Sequence, residues 1–226
     1  MNIVRWESDE TPVSAQFDDP YYSRGDGQAE SRYVFVEGNN LPSGWEGRSS
    51  FVVAELGFGT GLNFLETVAA WQATDPSRRP ALTYVSFEML PLTRQDLQRA
   101  LSVWTSLDQL ASELVSHWPP ASGWSSQEIC GVRLELAIGD ATALISTWKG
   151  VADAWYLDGF SPAKNPELWG EDLMRNVFER TKPGGTFSTF TAAGWVRRNL
   201  QGAGFLVEKY PGFGKKRECI RGRREG

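Results

Sequence analysis

The chain has 226 residues, a hydrophobic fraction of 41% and a formal net charge of −5. This length and apolar content suit one large domain with a packed core and exclude general disorder. The negative charge argues against a protein that wraps nucleic acid electrostatically. No apolar run approaches a membrane span, and the first 20 residues are too acidic for a signal peptide, so we expect a cytoplasmic protein without a membrane partner.

Residue types that bind metals are scarce. Cys130 and Cys219 lie far apart without metal-ligand spacing, which favours two reduced thiols packed as small hydrophobic residues. His117 is the only histidine and stands in SHWPP at a predicted helix end. This excludes multi-histidine metal sites and disfavours a Ser-His-Asp hydrolase, so we expect no metal.

Residues 1–45 have β-like but irregular patterning, with turn clusters such as SRGDGQ. They predict a small β-rich N-terminal extension packed on a main domain that covers residues 46–226. The clearest helical spacing in the main domain runs from Thr93 to His117, with Thr93 and Asp96 suggesting an N-terminal cap. Residues 118–127 predict an exposed connection.

Short apolar runs rich in Val, Phe, Tyr and Thr predict the strands, which are 51–57, 82–89, 132–140, 152–159 and 185–192. Strands that alternate with helices predict an α/β fold with a mostly parallel, doubly wound sheet. Two further strand-like runs around PGFG near the C-terminus predict an antiparallel hairpin that closes the sheet. Ligands of such sheets bind beyond the carboxyl ends of the strands.

A glycine-rich loop, ELGFGTG, joins the first predicted strand to an apolar-faced helix. Glycines allow a sharp turn and close ligand approach, and the helix start presents free N–H groups. A dinucleotide fingerprint would place the third glycine one position later. The acidic Glu55 before the glycines is typical of S-adenosylmethionine (SAM) sites, since a carboxylate suits the sulfonium and amino-acid end. SAM is therefore favoured over NAD, and a plain tight turn is the alternative.

Three further acidic residues end successive predicted strands. Glu88 is placed to accept hydrogen bonds from ribose hydroxyls. Asp140 is placed near an adenine, although it also suits a helix N-cap. Asp158, in DGFSP, should project beside the sulfonium methyl group, where a carboxylate can accept a proton from an attacking amine. A turn or cap role for Asp158 is the alternative, and Phe160 would form a wall or stack on a base.

The C-terminal stretch GKKRECIRGRREG concentrates positive charge in an otherwise acidic chain. Such a stretch is either a solvated tail or a phosphate-binding patch. Both interpretations remain open from the residues alone.

Longer stretches resemble a known family. ELGFGTGLNFLET, YLDGFSPAKNPELW and KPGGTFSTFTAAGWVRRNLQGAGF are similar to the methyltransferase domain of the bifunctional tRNA wobble-uridine enzymes, as are TPVSAQFDDPYYS and ESRYVFVEGNNLP near the N-terminus. The resemblance covers nearly the whole chain. It implies a Rossmann-like class I SAM-dependent methyltransferase fold, with the tRNA anticodon stem-loop as partner. It also implies conversion of 5-aminomethyl-(2-thio)uridine to 5-methylaminomethyl-(2-thio)uridine at the wobble position.

The resemblance assigns expected roles to individual residues, with Asp158 as the general base. The expected cofactor residues are Glu55, Gly57, Phe58, Gly59, Thr60, Gly61, Glu88, Asp140 and Ala141. The residues expected at the substrate mouth or on tRNA phosphates are Phe160, Pro162, Lys164, Arg197, Arg198, Lys215, Lys216 and Arg217.

Bifunctional members of that family carry a following FAD-dependent oxidoreductase domain, whereas this sequence stops at Gly226. It therefore resembles the stand-alone form, with no FAD in this chain. A separate FAD-dependent oxidoreductase or another enzyme would supply the aminomethyl precursor, unless the sequence is a piece of a longer enzyme.

Other functions fit the same residues. A SAM-dependent methyltransferase or an aminopropyltransferase acting on a small-molecule or protein amine would use the same site. A nucleoside-binding scaffold without catalysis is a further alternative, and a hydride-transferring dehydrogenase is the least favoured.

Overall fold

The computed structural model describes residues 3–226, and its N-terminal region begins with a short antiparallel hairpin. Strand β1 (Val4–Trp6) pairs with β2 (Pro12–Ser14). This hairpin confirms the β-structure expected at the start of the extension.

The following part of the extension is helical, contrary to the prediction of β-structure. Helix α1 (Gly27–Ser31) continues into a π-helical turn, Arg32–Val36, and a 3-10 turn, Glu37–Asn39. The run YVFV has high β-propensity, but Val34, Phe35 and Val36 are all buried in the main core. Burial against the rest of the molecule therefore overrides local propensity here.

One mixed sheet organises the chain beyond residue 49. Its strands are β3 (Ser50–Leu56), β4 (Ala81–Glu88), β5 (Gly123–Ile129), β6 (Val132–Ile138), β7 (Ala152–Leu157), β8 (Thr181–Thr189), β9 (Leu206–Pro211) and β10 (Glu218–Arg223). Their spatial order is β5-β6-β4-β3-β7-β8-β10-β9. Strands β6, β4, β3, β7 and β8 are parallel. The antiparallel β9–β10 hairpin closes one edge as predicted.

Helices connect these strands. They are α2 (Leu62–Ala73), α3 (Arg94–Leu101), α4 (Asp108–Ser116), α5 (Ala141–Thr147), α6 (Glu171–Glu179) and α7 (Gly194–Ala203). None of the helices within residues 3–226 combines the length and apolar character that crossing a membrane requires.

Two sequence-based expectations for this region are wrong. The helix predicted from Thr93 to His117 is broken after Leu101, because the turn there packs Trp104 edge-on against Tyr22 at 5.3 Å. The side chain of Thr93 nevertheless caps α3, accepting a hydrogen bond from the Asp96 N–H. The connection predicted at 118–127 contains most of β5, which pairs antiparallel with β6. As an edge strand with only one partner, β5 lacks the apolar run of a central strand.

Alternating side chains of the central strands fill two cores, one on each face of the sheet. Tyr84 and Tyr156 belong to one core, while their neighbours Val85 and Trp155 belong to the other. Phe35 of the N-terminal region and Phe51 of the main domain share a core. The division between residues 1–45 and 46–226 remains a prediction.

Candidate active site

A cavity of about 1020 Å³ opens at the carboxyl ends of the parallel strands. The glycine loop and the residues after β4, β6 and β7 form one wall, which we call the sheet wall. Residues 16–24 form much of the opposite side, which we call the N-terminal wall. The central strands β3 and β7 lie beside each other at this cavity. The chain runs from β3 to β4 on one side and from β7 to β8 on the other. Proteins with α/β sheets bind ligands at the point where the connections diverge in this way.

The glycine loop turns through left-handed backbone conformations. Gly57, Gly59 and Gly61 have φ angles of 83°, 53° and 73°. A Cβ on Gly61 would lie 2.9 Å from the side chains of Phe58 and Leu114, so this glycine is required by packing below the loop. Gly61 does not line the cavity, whereas the loop residues Gly57, Phe58, Gly59 and Thr60 do.

Glu88, at the end of β4, braces the glycine loop from the cavity side. Its Oε2 accepts a hydrogen bond from the Gly59 N–H at 2.9 Å, and its Oε1 accepts one from the Leu90 N–H at 2.6 Å. Burial raises the pKa of Glu88, and these backbone N–H donors oppose that rise. The carboxylate is therefore held in place at the cavity surface.

Asp140 occupies the N-cap of α5, the alternative considered for it from sequence. Its side chain accepts a hydrogen bond from the Ala143 N–H at 2.8 Å. Asp140 and Ala141 both line the cavity, so capping does not remove Asp140 from the site.

Asn63, in the first turn of α2, joins two carboxyl groups. Its Nδ2 donates to Oδ2 of Asp158 at 2.7 Å and to Oε1 of Glu55 at 2.9 Å. The Oδ1 of Asn63 accepts a hydrogen bond from the Ser31 hydroxyl at 2.5 Å, which fixes the orientation of the amide. The other oxygen of Asp158 accepts from the Gly159 N–H at 2.8 Å. Asp158 thus lines the cavity with both oxygens anchored.

The two carboxyl groups differ in exposure and in acidity. Glu55 is fully buried beneath the loop and does not line the cavity, although sequence placed it beside the cofactor. Burial raises its pKa to about 8, against the effect of the Asn63 hydrogen bond. Burial raises the pKa of Asp158 to about 6, and the Gly159 and Asn63 hydrogen bonds oppose that rise. Burial thus raises the pKa of Glu55 above that of Asp158, so Asp158 ionises at the lower pH.

The loop after β7 packs against the N-terminal wall. Phe160 stacks on Phe17 with ring centroids 4.9 Å apart and meets Tyr21 edge-on at 5.1 Å. Lys164 forms an ion pair with Asp19 at 3.3 Å, and Asp19 also accepts a hydrogen bond from the Ser161 N–H at 2.8 Å. Lys164 therefore fastens the loop to the N-terminal wall.

The other residues expected to contact substrate are dispersed. Lys216 lines the cavity, whereas Pro162, Arg197, Arg198, Lys215 and Arg217 do not. Pro162 is buried, and Arg198, Lys215 and Arg217 are exposed. Within residues 3–226, Lys215 and Arg217 form no ion pair, so their charges are accessible to a ligand outside the cavity.

Several cavity residues carried no assigned role in the sequence. They are Phe17, Tyr21, Ser23, Glu30, Asn63 and Phe190. Asn63 stands two residues after the glycine loop, and that spacing is the only local signal for it. The described part of the chain holds no group of three or more His, Cys, Asp or Glu side chains arranged for a metal ion.

The chain is similar to several known proteins. Residues 105–225 match the model of a family described as S-adenosyl-L-methionine-dependent methyltransferases. The tRNA 5-methylaminomethyl-2-thiouridine biosynthesis bifunctional protein MnmC of Aeromonas hydrophila is 44% identical over 97% of this chain and 35% of that protein. The protein of the same name from Aromatoleum aromaticum is 46% identical over 97% of this chain and 35% of that protein. The chain thus spans about a third of the length of these curated relatives.

The fold has a solved counterpart. The crystal structure of MnmC2 from Aquifex aeolicus superimposes with a TM-score of 0.77 at 24% identity, covering 99% of this chain and 70% of that one. At this identity the likeness shows the fold alone, and it confirms the predicted Rossmann-like methyltransferase architecture. The family match over more than half of the residues means that this chain belongs to the S-adenosyl-L-methionine-dependent methyltransferase family.

Proposed function

We propose that this chain methylates the primary amine of 5-aminomethyl-(2-thio)uridine at the wobble position of tRNA, with Asp158 as general base. The observation that carries the proposal is the anchored carboxylate of Asp158 at the end of a central strand, beside the glycine loop. The names of the similar MnmC proteins supply the tRNA nucleoside.

The residues of the cavity fit SAM. Gly57 and Gly59 line it without side chains, and a Cβ on either would meet a neighbouring residue at 3.4 Å or less. Each oxygen of Glu88 accepts one backbone N–H and retains a lone pair for a ribose hydroxyl. Asp140 and Ala141 would border the adenine. Bound SAM supplies an electrophilic methyl group on its sulfonium.

The chain's own contribution is to prepare and place the amine. An alkylamine has a pKa of about 10 and is protonated at neutral pH, so it must lose a proton before nitrogen can attack. Asp158, with a pKa of about 6, is ionised and can accept that proton. Asn63 and Gly159 each donate to one oxygen of Asp158, which fixes the carboxylate and leaves a lone pair on each oxygen for the proton.

Binding of tRNA would use charges outside the cavity. Arg198, Lys215 and Arg217 are exposed and are suited to phosphates, which position a nucleic acid without reading its sequence. One face of Phe160 is already covered by Phe17, so Phe160 serves as a wall of the cavity. The aminomethyl precursor would come from a separate FAD-dependent oxidoreductase or another enzyme.

Transfer of labelled methyl from SAM tests the proposal. The acceptor is tRNA isolated with an unmethylated aminomethyl wobble uridine, and the matched control is the same tRNA already methylated. We expect label only in the first tRNA, at the wobble nucleoside. Absence of label there, together with transfer to a small-molecule or protein amine, would overturn the tRNA assignment. Preference for decarboxylated SAM would instead indicate an aminopropyltransferase.

A further inference from the structure

Glu30, on α1, is a carboxylate of the cavity to which the proposed chemistry gives no role. The residue is only 8% exposed, yet it lines the cavity. Its Oε2 accepts a hydrogen bond from the Ser23 hydroxyl. The negative charge of Glu30 raises the pKa of Asp158, so the two carboxylates interact electrostatically.

The partner of Glu30 is a primary ammonium from the chain itself. Nζ of Lys216 lies 2.7 Å from Oε1 of Glu30 and 4.7 Å from the centroid of the Phe190 ring. A buried carboxylate and an aromatic face are the two features that proteins combine to bind a primary ammonium. The side chain of Lys216 is 43% exposed and belongs to the loop between β9 and β10, so solvent lies on its other side.

We propose that Glu30, Ser23 and Phe190 form a binding subsite for the primary ammonium of the substrate, which Lys216 occupies in the free protein. When tRNA binds, Lys216 leaves this ammonium subsite for a phosphate, and the substrate aminomethyl group takes its place. The substrate then arrives protonated between Glu30 and Asp158. This inference rests on the proposed function, because that function supplies a substrate with a primary amine.

The charge arrangement supports such an exchange. Glu30 and Lys216 act on the pKa of Asp158 in opposite directions, Glu30 raising it and Lys216 lowering it. Replacing the ammonium of Lys216 by that of the substrate leaves the net charge around Asp158 unchanged. The cavity therefore accepts the substrate cation without burying an unpaired charge.

The test compares two anticodon stem-loop RNAs that differ only at the wobble nucleotide, which is 5-aminomethyluridine in one and 5-methyluridine in the other. Dissociation constants are measured with S-adenosylhomocysteine present, so no turnover occurs. The ratio of the two constants isolates the amine from the phosphates. We expect Glu30→Gln to reduce the wild-type preference for the amine about tenfold or more, since a charged hydrogen-bond partner is lost.

Lys216→Met should weaken both RNAs by the same factor and should keep or increase the preference for the amine. Glu208→Gln and Lys209→Met on β9 are matched controls, since they remove the same charges outside the cavity lining and should keep the preference. Thermal melting and S-adenosylhomocysteine affinity verify folding. If Glu30→Gln fails to fold, Ser23→Ala replaces it, with a reduction of a few-fold expected.

Retention of the wild-type preference in Glu30→Gln, or in its replacement, would overturn the ammonium subsite. Loss of preference in both Glu30→Gln and Lys216→Met would also overturn it, because that result describes a structural ion pair. A wild-type protein that methylates the amine RNA without preferring it overturns the subsite alone. Absence of both preference and methylation in wild type overturns the proposed function itself.

Discussion

The two walls of the cavity are built in different ways. In the sheet wall, Asn63 and Glu88 make buried or partly buried hydrogen bonds of 2.6–2.9 Å to backbone and carboxyl groups on neighbouring strands and loops. The N-terminal wall is fastened by an ion pair between its Asp19 and Lys164 of the loop after β7, whose side chains are 19% and 39% exposed. Exposed pairs of this kind stabilise by only about 0.2–1 kcal/mol, whereas a buried carboxyl without its partners costs far more.

Reaction geometry and cavity closure therefore have separate supports. Groups that must stay aligned during the reaction belong to the sheet wall. The N-terminal wall closes the cavity through contacts that are individually weak. Changes in the sheet wall should therefore alter turnover, and changes in the N-terminal wall should alter binding.

The largest effect is expected in the sheet wall, from Asp158→Asn. Asparagine keeps the shape but cannot accept a proton, and its NH2 group gives up one of the two hydrogen bonds that Asp158 accepts, so kcat should fall about 10²–10⁴-fold. Affinity for SAM, measured by calorimetry, should change little. Asp172→Asn, on the surface of α6, is the matched control and should retain wild-type turnover. Near-normal kcat in Asp158→Asn would contradict the general-base assignment.

Asn63→Ala tests whether the amide tunes Asp158. Wild-type kcat should rise with pH through about 6, where Asp158 ionises. The Asn63 hydrogen bond lowers the pKa of Asp158, so its removal should move this limb to higher pH and reduce kcat at pH 6 about tenfold. Rates measured from pH 5 to 9 provide the readout. A limb that stays in place while kcat falls at every pH would show that Asn63 acts on Asp158 by orientation alone.

Glu55→Gln tests the buried carboxyl of the sheet wall through stability. The folded pKa of about 8 exceeds the ordinary value of 4.5, so the folded state binds more protons between these two pH values. Stability conferred by this proton is present below pH 4.5 and is lost as pH rises through 8. Between pH 5 and pH 9, the free energy of unfolding should therefore fall by on the order of 2–4 kcal/mol less in Glu55→Gln than in the wild type. Urea unfolding at pH 5 and 9 measures it, and an unchanged pH dependence would contradict the assignment.

The smallest effect is expected in the N-terminal wall. In a double-mutant cycle of Asp19→Asn and Lys164→Met, the coupling free energy of unfolding should be at most about 1 kcal/mol. Affinity for SAM should weaken a few-fold, with kcat nearly unchanged, because the reacting groups lie in the other wall. A large fall in kcat with normal affinity would show that the N-terminal wall takes part in catalysis.

The sequence predicted one wall far better than the other. Strand, glycine loop and helix follow one another locally in ELGFGTGLNF. The alternation of strands and helices brings Glu88, Asp140 and Asp158 together at the carboxyl ends of the parallel strands. The N-terminal wall depends on contacts between distant positions, such as the hydrogen bond from Ser161 to Asp19 across 142 residues. No local pattern predicts such a contact.

By itself, the sequence determined the parallel sheet, the glycine loop and the position of Asp158, because hydrophobic period and turn residues act over a few neighbours. The hydrogen bonds that join Asn63 to Asp158 and Glu55, and the ion pair of Lys216 with Glu30, follow from the tertiary structure. It also placed Glu55 beneath the loop and outside the cavity lining. These outcomes depend on which side chains meet after the chain has folded, and burial then sets their pKa values and their partners.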